Sequence, residues 1–398
     1  MHLSVLCGLA AACWSLIMKS SYSSLTRRAL LRTGLAGAAG SLAAPAVLAQ
    51  SARSRNDPPT VLQIVDTAST QQDVAKDFFI GSLAAWQDFG ARGGLPGRPL
   101  VHRKLEVNTS EANWQTALAE LRDNSSIVAV SGTVSEGVAS HLARRLVAEK
   151  LSLAHVAPWW QNIENADALT FPIFANRQAQ MMHALKSLSL VGVREFGAVY
   201  ASARDRALYR EGVVRVASAL QVKLVEIEGS GNTRELGRSV SAQSPAVLQF
   251  FGGTPELASF TQGLADQARQ RYVIALADVN LQTLRQMGAS PRIPVIAAQV
   301  VPLARSSMPV VQSYRATLAR LFDEPSSPQS LAGYLAARYT QEVLSGLSGP
   351  LDRASVLSAF RQRRTVDLGG FRVAYDARGL GSTYVTQSML TDDGREIG

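Results

Sequence analysis

The residues of this sequence that could do chemistry are small hydroxyls, paired indoles and isolated charges placed at the ends of β-branched runs. The run Ile127–Val130 ends in Ser131-Gly132-Thr133-Val134-Ser135-Glu136-Gly137, where a helix is predicted to begin. Hydroxyls beside a helix start offer side-chain donors and free backbone N–H groups, which is the chemistry of anion binding. The other use of Thr133 and Ser135 is to cap that helix. Trp159 and Trp160 follow the run Leu151–His155 and the turn Ala157-Pro158. Neighbouring indoles point apart and each N–H wants a partner, so at least one is expected to face a cleft, the alternative being packing at a hinge.

Catalytic constellations are missing from the pattern. His2 lies in the leader described below, and His102, His141, His155 and His183 are scattered without metal-ligand spacing. His155, at a strand end, reads as a structural imidazole. No G-x-S-x-G elbow, Walker loop or G-x-G-x-x-G occurs. A non-enzymatic protein without a cofactor is expected.

The elements that must position these residues alternate. Strand Thr60–Val65 leads to helix Val74–Phe89, strand Leu100–Val107, helix Ser110–Arg122, strand Ile127–Val130, helix Gly137–Ala148 and strand Leu151–His155. The rhythm restarts after Phe171: helix Gln178–Leu190, strand Glu195–Tyr200, helix Arg206–Leu220, strand Val222–Ile227, helix Arg234–Ala242 and strand Ala246–Phe251. Helix Pro255–Arg269, strand Tyr272–Leu276, helix Leu281–Met287 and strand Ile293–Val300 follow, then helices Tyr314–Phe322, Leu331–Ser345 and Arg353–Arg361. Phe371–Tyr375 and Ser382–Leu390 alternate as an antiparallel pair around Asp376-Ala377-Arg378-Gly379. Such alternation makes parallel βαβ units, so the fold class is α/β with two doubly wound parallel-sheet lobes and a break near 172–176. A chain of 398 residues is too long for one ordinary core, and its 46% apolar and 18% charged content is that of a globular protein.

The first 49 residues read differently. Thr26-Arg27-Arg28-Ala29-Leu30-Leu31 resembles a twin-arginine export box, followed by a weakly apolar stretch and Val47-Leu48-Ala49. Cleavage before Gln50 is expected. A retained anchor is the alternative, against which stands an apolar run at 33–49 that is short and broken by Gly and Pro45. Residues 1–17 precede the arginine pair and read as a mistaken upstream start, with Met18 the true beginning. Both cysteines, Cys7 and Cys13, lie there, so the mature chain has no thiol and no disulfide. Four basic residues (Lys19, Arg27, Arg28, Arg32) and no acids leave with the leader, which takes the net charge from +9 to +5. With no dense basic stripe, nucleic acid is not an expected partner.

Three stretches resemble the type I periplasmic binding proteins of the branched-chain amino acid transporter class. They are Ala84-Ala85-Trp86-Gln87-Asp88-Phe89-Gly90-Ala91-Arg92-Gly93-Gly94-Leu95-Pro96-Gly97-Arg98, the Ile127–Gly137 strand and loop, and Ala332–Ala337 followed by Leu368-Gly369-Gly370-Phe371-Arg372-Val373-Ala374-Tyr375-Asp376-Ala377-Arg378-Gly379. They occur in the family's order and span nearly all of the mature chain. The resemblance implies three chain crossings, with lobe one at 58–173 plus 300–368 and lobe two at 174–299 plus 369–398. It also implies a ligand between the lobes at the carboxyl ends of the strands, where open α/β sheets hold ligands. Hinge closure is expected about 172–176 and 298–302.

On that frame, Thr133 and Ser135 face a ligand carboxylate, and Trp159, Trp160 and Gln161 stand where the family carries small hydroxyl residues that hold an amino acid backbone. Thr254, after Phe250-Phe251-Gly252-Gly253, replaces an aromatic. Asp278 either meets a ligand ammonium or caps the helix near Leu281. Asn176, Arg177, Tyr200 and Ser202 complete the candidate cleft. The implied role is an exported, periplasmic, monomeric receptor serving an ABC-transporter permease. Its expected ligand is small and organic, amino acid-like or an aromatic or apolar carboxylate, the latter favoured over leucine or valine by the indoles. A sensory partner of a membrane kinase, or an accessory of an exported redox enzyme, would use the same lobes.

Overall fold

The structure is a computed structural model that describes residues 57–68, 71–108, 110–190, 192–228, 232–390 and 396–398. The export segment, including Arg27, Arg28 and the Ala49–Gln50 junction, lies outside the described residues. The described residues fall in one compact unit.

The first lobe is built on a five-stranded parallel sheet. Its strands are β1 (Thr60–Asp66), β2 (Val101–Val107), β3 (Ile127–Ser131), β4 (Ala154–Val156) and β5 (Thr170–Phe171), in the order β2-β1-β3-β4-β5. All five residues of β3 are buried, as a central strand covered on both faces requires. Helices α1 (Gln72–Ala91), α2 (Glu111–Asp123) and α3 (Glu136–Ala148) connect the strands. After β5 the chain crosses to the second lobe. There α4 (Arg177–Leu190), β6 (Glu195–Tyr200), α5 (Ala203–Leu220), β7 (Lys223–Ile227), α6 (Thr233–Ser239), β8 (Val247–Phe251), α7 (Thr254–Leu264), β9 (Tyr272–Ala275), α8 (Leu281–Gln286) and β10 (Val295–Gln299) follow in turn. The chain then returns for α9 (Pro309–Leu321), α10 (Pro328–Ser345) and α11 (Arg353–Arg361), which pack on α1, β3 and β4.

Helix α10 seats on α1 through two glycines. A Cβ at Gly81 would stand 1.7 Å from the Ser330 carbonyl oxygen, and one at Gly333 would stand 1.8 Å from the Phe78 carbonyl oxygen. Backbone therefore meets backbone at this crossing, which no larger residue permits. The seam lies in a core containing Phe78, Tyr314, Tyr334 and Tyr339, all at or below 1% exposure.

The C-terminus corrects one expectation. Phe371–Tyr375 and Ser382–Leu390 do not form an antiparallel pair with each other. Instead β11 (Val366–Asp367) pairs with β12 (Arg372–Val373), while β13 (Thr386–Leu390) crosses to the second lobe and joins β10 antiparallel, with β14 (Glu396–Ile397) outside it. The expected turn is present: the Asp376 carboxylate accepts the N–H groups of Arg378 and Leu380, both at 2.9 Å. Beyond it the pairing stops, because the Gly381 N–H is drawn to the Pro172 carbonyl oxygen at 3.0 Å, tying the tail to the first crossing. The second sheet thus runs β14-β13-β10-β9-β8-β6-β7.

Several elements are shorter than the pattern predicts, and for two helices and one strand the contacts show why. α7 stops at Leu264, since Gln267 and Arg269 reach back to carbonyls of residues 237–244. α6 stops at Ser239, and the carbonyls beyond it are gathered by the fully buried Arg271 guanidinium. Leu151 and Leu153 are buried but lie outside the ladder, which begins at Ala154 after Lys150 turns the chain at φ +53°.

Candidate functional site

The segments that follow β1 and β3 meet those that follow β8 and β9, with Arg177 of α4 between them. On the first-lobe side, Ser135 sits at φ +81° as the N-cap of α3, accepting the Val138 N–H at 3.3 Å. Its hydroxyl donates to Asp66 Oδ2 at 2.8 Å. The Thr133 hydroxyl lies 3.0 Å from His155 Nε2. Burial pushes that imidazole down to about 3, so it is neutral at any working pH. Both hydroxyls therefore face internal partners, and Ser135 does the capping that its position allowed.

The two indoles part company. Trp159 is 2% exposed, with ring centroids 5.5 Å from both Phe78 and Phe174, and belongs to the first-lobe core. Its backbone N–H bonds the Thr133 carbonyl at 2.8 Å, while Nε1 is buried without a partner. Trp160 is half-buried. Gln161 accepts from Gln180 Nε2 at 2.7 Å through its side chain and from the Arg177 N–H at 2.7 Å through its carbonyl. Its own Nε2 is buried and unpartnered.

Arg177, the first residue of α4, is 4% exposed and makes the strongest polar cluster of the cleft. One guanidinium nitrogen donates to Asp278 Oδ2 and the other to Glu136 Oε2 at 2.7 Å, while the planar group lies 4.3 Å from the Tyr209 ring centroid. Burial opposes the charge on Arg177, but the Asp278 and Glu136 carboxylates outweigh it and hold the group above its ordinary range. Burial likewise pushes the Glu136 carboxyl up, against the pull of Arg177. Asp278 is thus already paired with a cation supplied by the chain.

The remaining candidates have structural duties. Asn176 accepts the Ala179 N–H at 2.9 Å at the start of α4 and donates to the Ile163 carbonyl at 3.0 Å. Ser202 caps α5 through the Asp205 N–H. Tyr200 stacks on Phe251 at 5.2 Å, and burial first of all pushes its unpartnered hydroxyl up to about 12. Thr254 is fully buried and spans the lobes, donating to Asp73 Oδ2 on α1 at 2.7 Å while accepting the Asn280 N–H at 3.1 Å. Two further links join it: Asn280 Nδ2 donates to Asp77 Oδ2 at 2.9 Å, and Gln329 Nε2 donates to the carbonyls of Ala277 and Val279.

Sequence reasoning passed over Glu136, Tyr209, Asp73 and Asp77. An acid in the first turn of a helix reads as a response to the helix dipole, and Tyr209 reads as part of the apolar stripe of α5. Beside this cluster lies a cavity of about 220 Å³ with largely polar walls, Gln161, Asn162, Asn176 and Arg177 among them, joined by Met181 and Tyr209. Among the described residues no helix is long and apolar enough to cross a membrane.

Two lobes with parallel sheets, meeting through polar side chains at the carboxyl ends of their strands, define a class, and the sequence agrees. Residues 59–394 match the family described as periplasmic binding protein, and the chain belongs to that family. The fold is shared with a substrate-binding periplasmic protein from Ralstonia solanacearum (TM-score 0.75, 19% identity, 86% of this chain and 99% of that one). It is also shared with a possible leucine/isoleucine/valine-binding protein from Rhodopirellula baltica (TM-score 0.71, 18% identity, 87% and 98%). A third likeness is to a fatty acid ABC transporter substrate-binding protein from Thermomonospora curvata (TM-score 0.73, 13% identity, 85% and 90%). No curated protein sequence matches the chain.

Proposed function

We propose that the protein is an exported, non-catalytic receptor that closes over a small organic solute between its lobes and delivers it to an ABC-importer permease. One observation carries the reading: side chains from both lobes converge at the strand ends, Glu136, Asp73 and Asp77 from one and Arg177, Asp278, Thr254 and Asn280 from the other. A hinged receptor needs groups of this kind, which a ligand can bridge and which meet when the lobes close. The solved relatives include one named for leucine, isoleucine and valine and one named for fatty acids, so the fold accommodates both polar and apolar solutes.

Of the expected ligands, the apolar or aromatic one is favoured over a free amino acid. Asp278 is engaged by Arg177 and is not free to meet a ligand ammonium, while the buried Gln161 Nε2 still seeks an acceptor. A compact body with one acceptor group, a carboxylate or a carbonyl, fits these surroundings. The test is a thermal-shift screen of the mature protein against organic acids and amino acids, in which a ligand at a thousand times its dissociation constant adds about 4 kcal/mol. Turnover of a bound solute, or stabilisation by leucine and valine alone, overturns the reading. Export is proposed to use Arg27 and Arg28 with cleavage before Gln50. Intact-mass analysis of periplasmic protein checks this, and unimpaired export of an Arg27→Lys/Arg28→Lys variant refutes it.

A further inference from the structure

The surroundings of Arg177 have the form of a cation site. Glu136 comes from the N-terminus of α3 in one lobe, Asp278 from the loop after β9 in the other, and Tyr209 from α5. Two carboxylates and an aromatic face are groups that hold a small organic cation away from water. They converge on one point, where both carboxylates and the ring are directed at the same guanidinium. Arg177 and Asp278 are almost fully buried, and Glu136 is half-buried.

The occupant matches the site. A guanidinium is planar and forked, so it can serve two carboxylates at once while its face rests on a ring; an ammonium on a lysine stem is a point charge and cannot do all three. Without Arg177, a buried and a half-buried carboxylate would be left without a compensating charge, which a folded protein tolerates poorly.

We propose that Glu136, Asp278 and the Tyr209 face form an inter-lobe cation cage that the protein fills with its own Arg177, closing this part of the cleft to small organic cations. The proposal deepens the receptor reading and rests on it for what enters the cleft. A solute bearing an ammonium or guanidinium group finds the cage taken, whereas its amine-free counterpart has no need of it. Arg177 is in this sense the residue that sets the charge class of the solute.

The experiment removes the occupant and offers a replacement. Arg177→Ala should unfold roughly 10 °C below the wild type, the fall expected when one member of a buried ion cluster is lost. Methylguanidinium in the low millimolar range should recover about half of that fall or more, saturably, by binding only the folded variant. It should leave the wild type unmoved. Methylammonium should act more weakly, and adding Glu136→Gln or Asp278→Asn to the variant should abolish the response. A folded Arg177→Ala protein indifferent to methylguanidinium, or a wild type stabilised to the same extent, overturns the cage. Should the alanine variant not fold, Arg177→Met keeps an aliphatic stem at this position without the charge and carries the same comparison. The measurement needs no natural solute. Its failure therefore removes the cage and leaves the receptor standing, whereas a solute screen won by amino acids alone removes the receptor's proposed ligand class and leaves the cage.

Discussion

Replacing Trp159 with alanine separates a ligand-contacting ring from a core ring. The indole is 2% exposed and packs on Phe78 and Phe174 at 5.5 Å each. Truncating a buried tryptophan costs about 3–5 kcal/mol through lost transfer energy and the cavity left behind. Two aromatic pairs place the site toward the upper end, and release of the unpartnered Nε1 offsets about 1–3 kcal/mol. The balance is roughly 3 kcal/mol. At about 2–4 °C per kcal/mol for a chain of this size or somewhat smaller, thermal unfolding followed by far-ultraviolet circular dichroism should shift down by roughly 6–12 °C. Trp159→Phe keeps a ring in the aromatic cluster and removes the orphaned donor, so its cost should stay below about 1.5 kcal/mol. Trp160→Ala, at a half-buried position, should move the midpoint little and is the indole substitution expected to change solute affinity. The reasoning is refuted if Trp159→Ala unfolds at the wild-type temperature while losing tenfold or more in affinity, because the ring would then face solute and not core.

Three further expectations follow from contacts already described. Gly333→Ala should lower the unfolding midpoint by about 5 °C or more, because its Cβ would meet the Phe78 carbonyl oxygen at 1.8 Å; an unchanged midpoint would mean that the helices can part. Thr254→Val removes the donor to Asp73 and the acceptor for Asn280, so the lobes should close less readily and the radius of gyration from solution scattering should rise; an identical profile counts against this contact as a clasp. Burial pushes the Asp77 carboxyl up, against hydrogen bonds from Ser327 and Asn280. A carboxyl raised in the folded state stabilises fully below its unfolded value and loses that contribution as pH climbs through its folded value. Asp77→Asn should therefore raise the midpoint at pH 7 and do little at pH 4, and a loss at pH 7 would contradict the sign.

Much of the fold was legible because its signals are local. Glu195–Tyr200 and Arg353–Arg361 begin and end where the pattern places them, one bounded by a change of period and the other by the Asp352 capping box. The pattern fails where distant groups intervene. Residues 265–269 have ordinary helical composition, and only their side-chain bonds to carbonyls near α6 keep them out of α7. The pairing of the tail depends on Pro172, two hundred residues away in the chain, which no alternation of polar and apolar residues encodes. The cleft was legible in its loops and not in its partners. Asp278, Thr133, Ser135 and Thr254 were singled out by their positions at strand ends and Arg177 by its place at the first crossing, but that Arg177 would meet Asp278 and Glu136 depends on how the lobes come together. Trp159 misled for a related reason, since two adjacent indoles look exposed until Phe78 from α1 and Phe174 from the crossing are seen to enclose one of them.

Strand β13 has a consequence for how such a chain is made. It completes the second sheet beside β10, yet the residues between them build α9 to α11 of the first lobe. Each lobe is therefore stitched from pieces made early and pieces made late, and neither half of the sequence encodes a finished body. A ribosome or a translocation channel that releases this chain from its N-terminus presents incomplete sheet edges until the last strand arrives. The proposed paired-arginine export, which delivers a chain after folding, would spare the protein that exposure, because assembly would finish where the whole chain is already at hand.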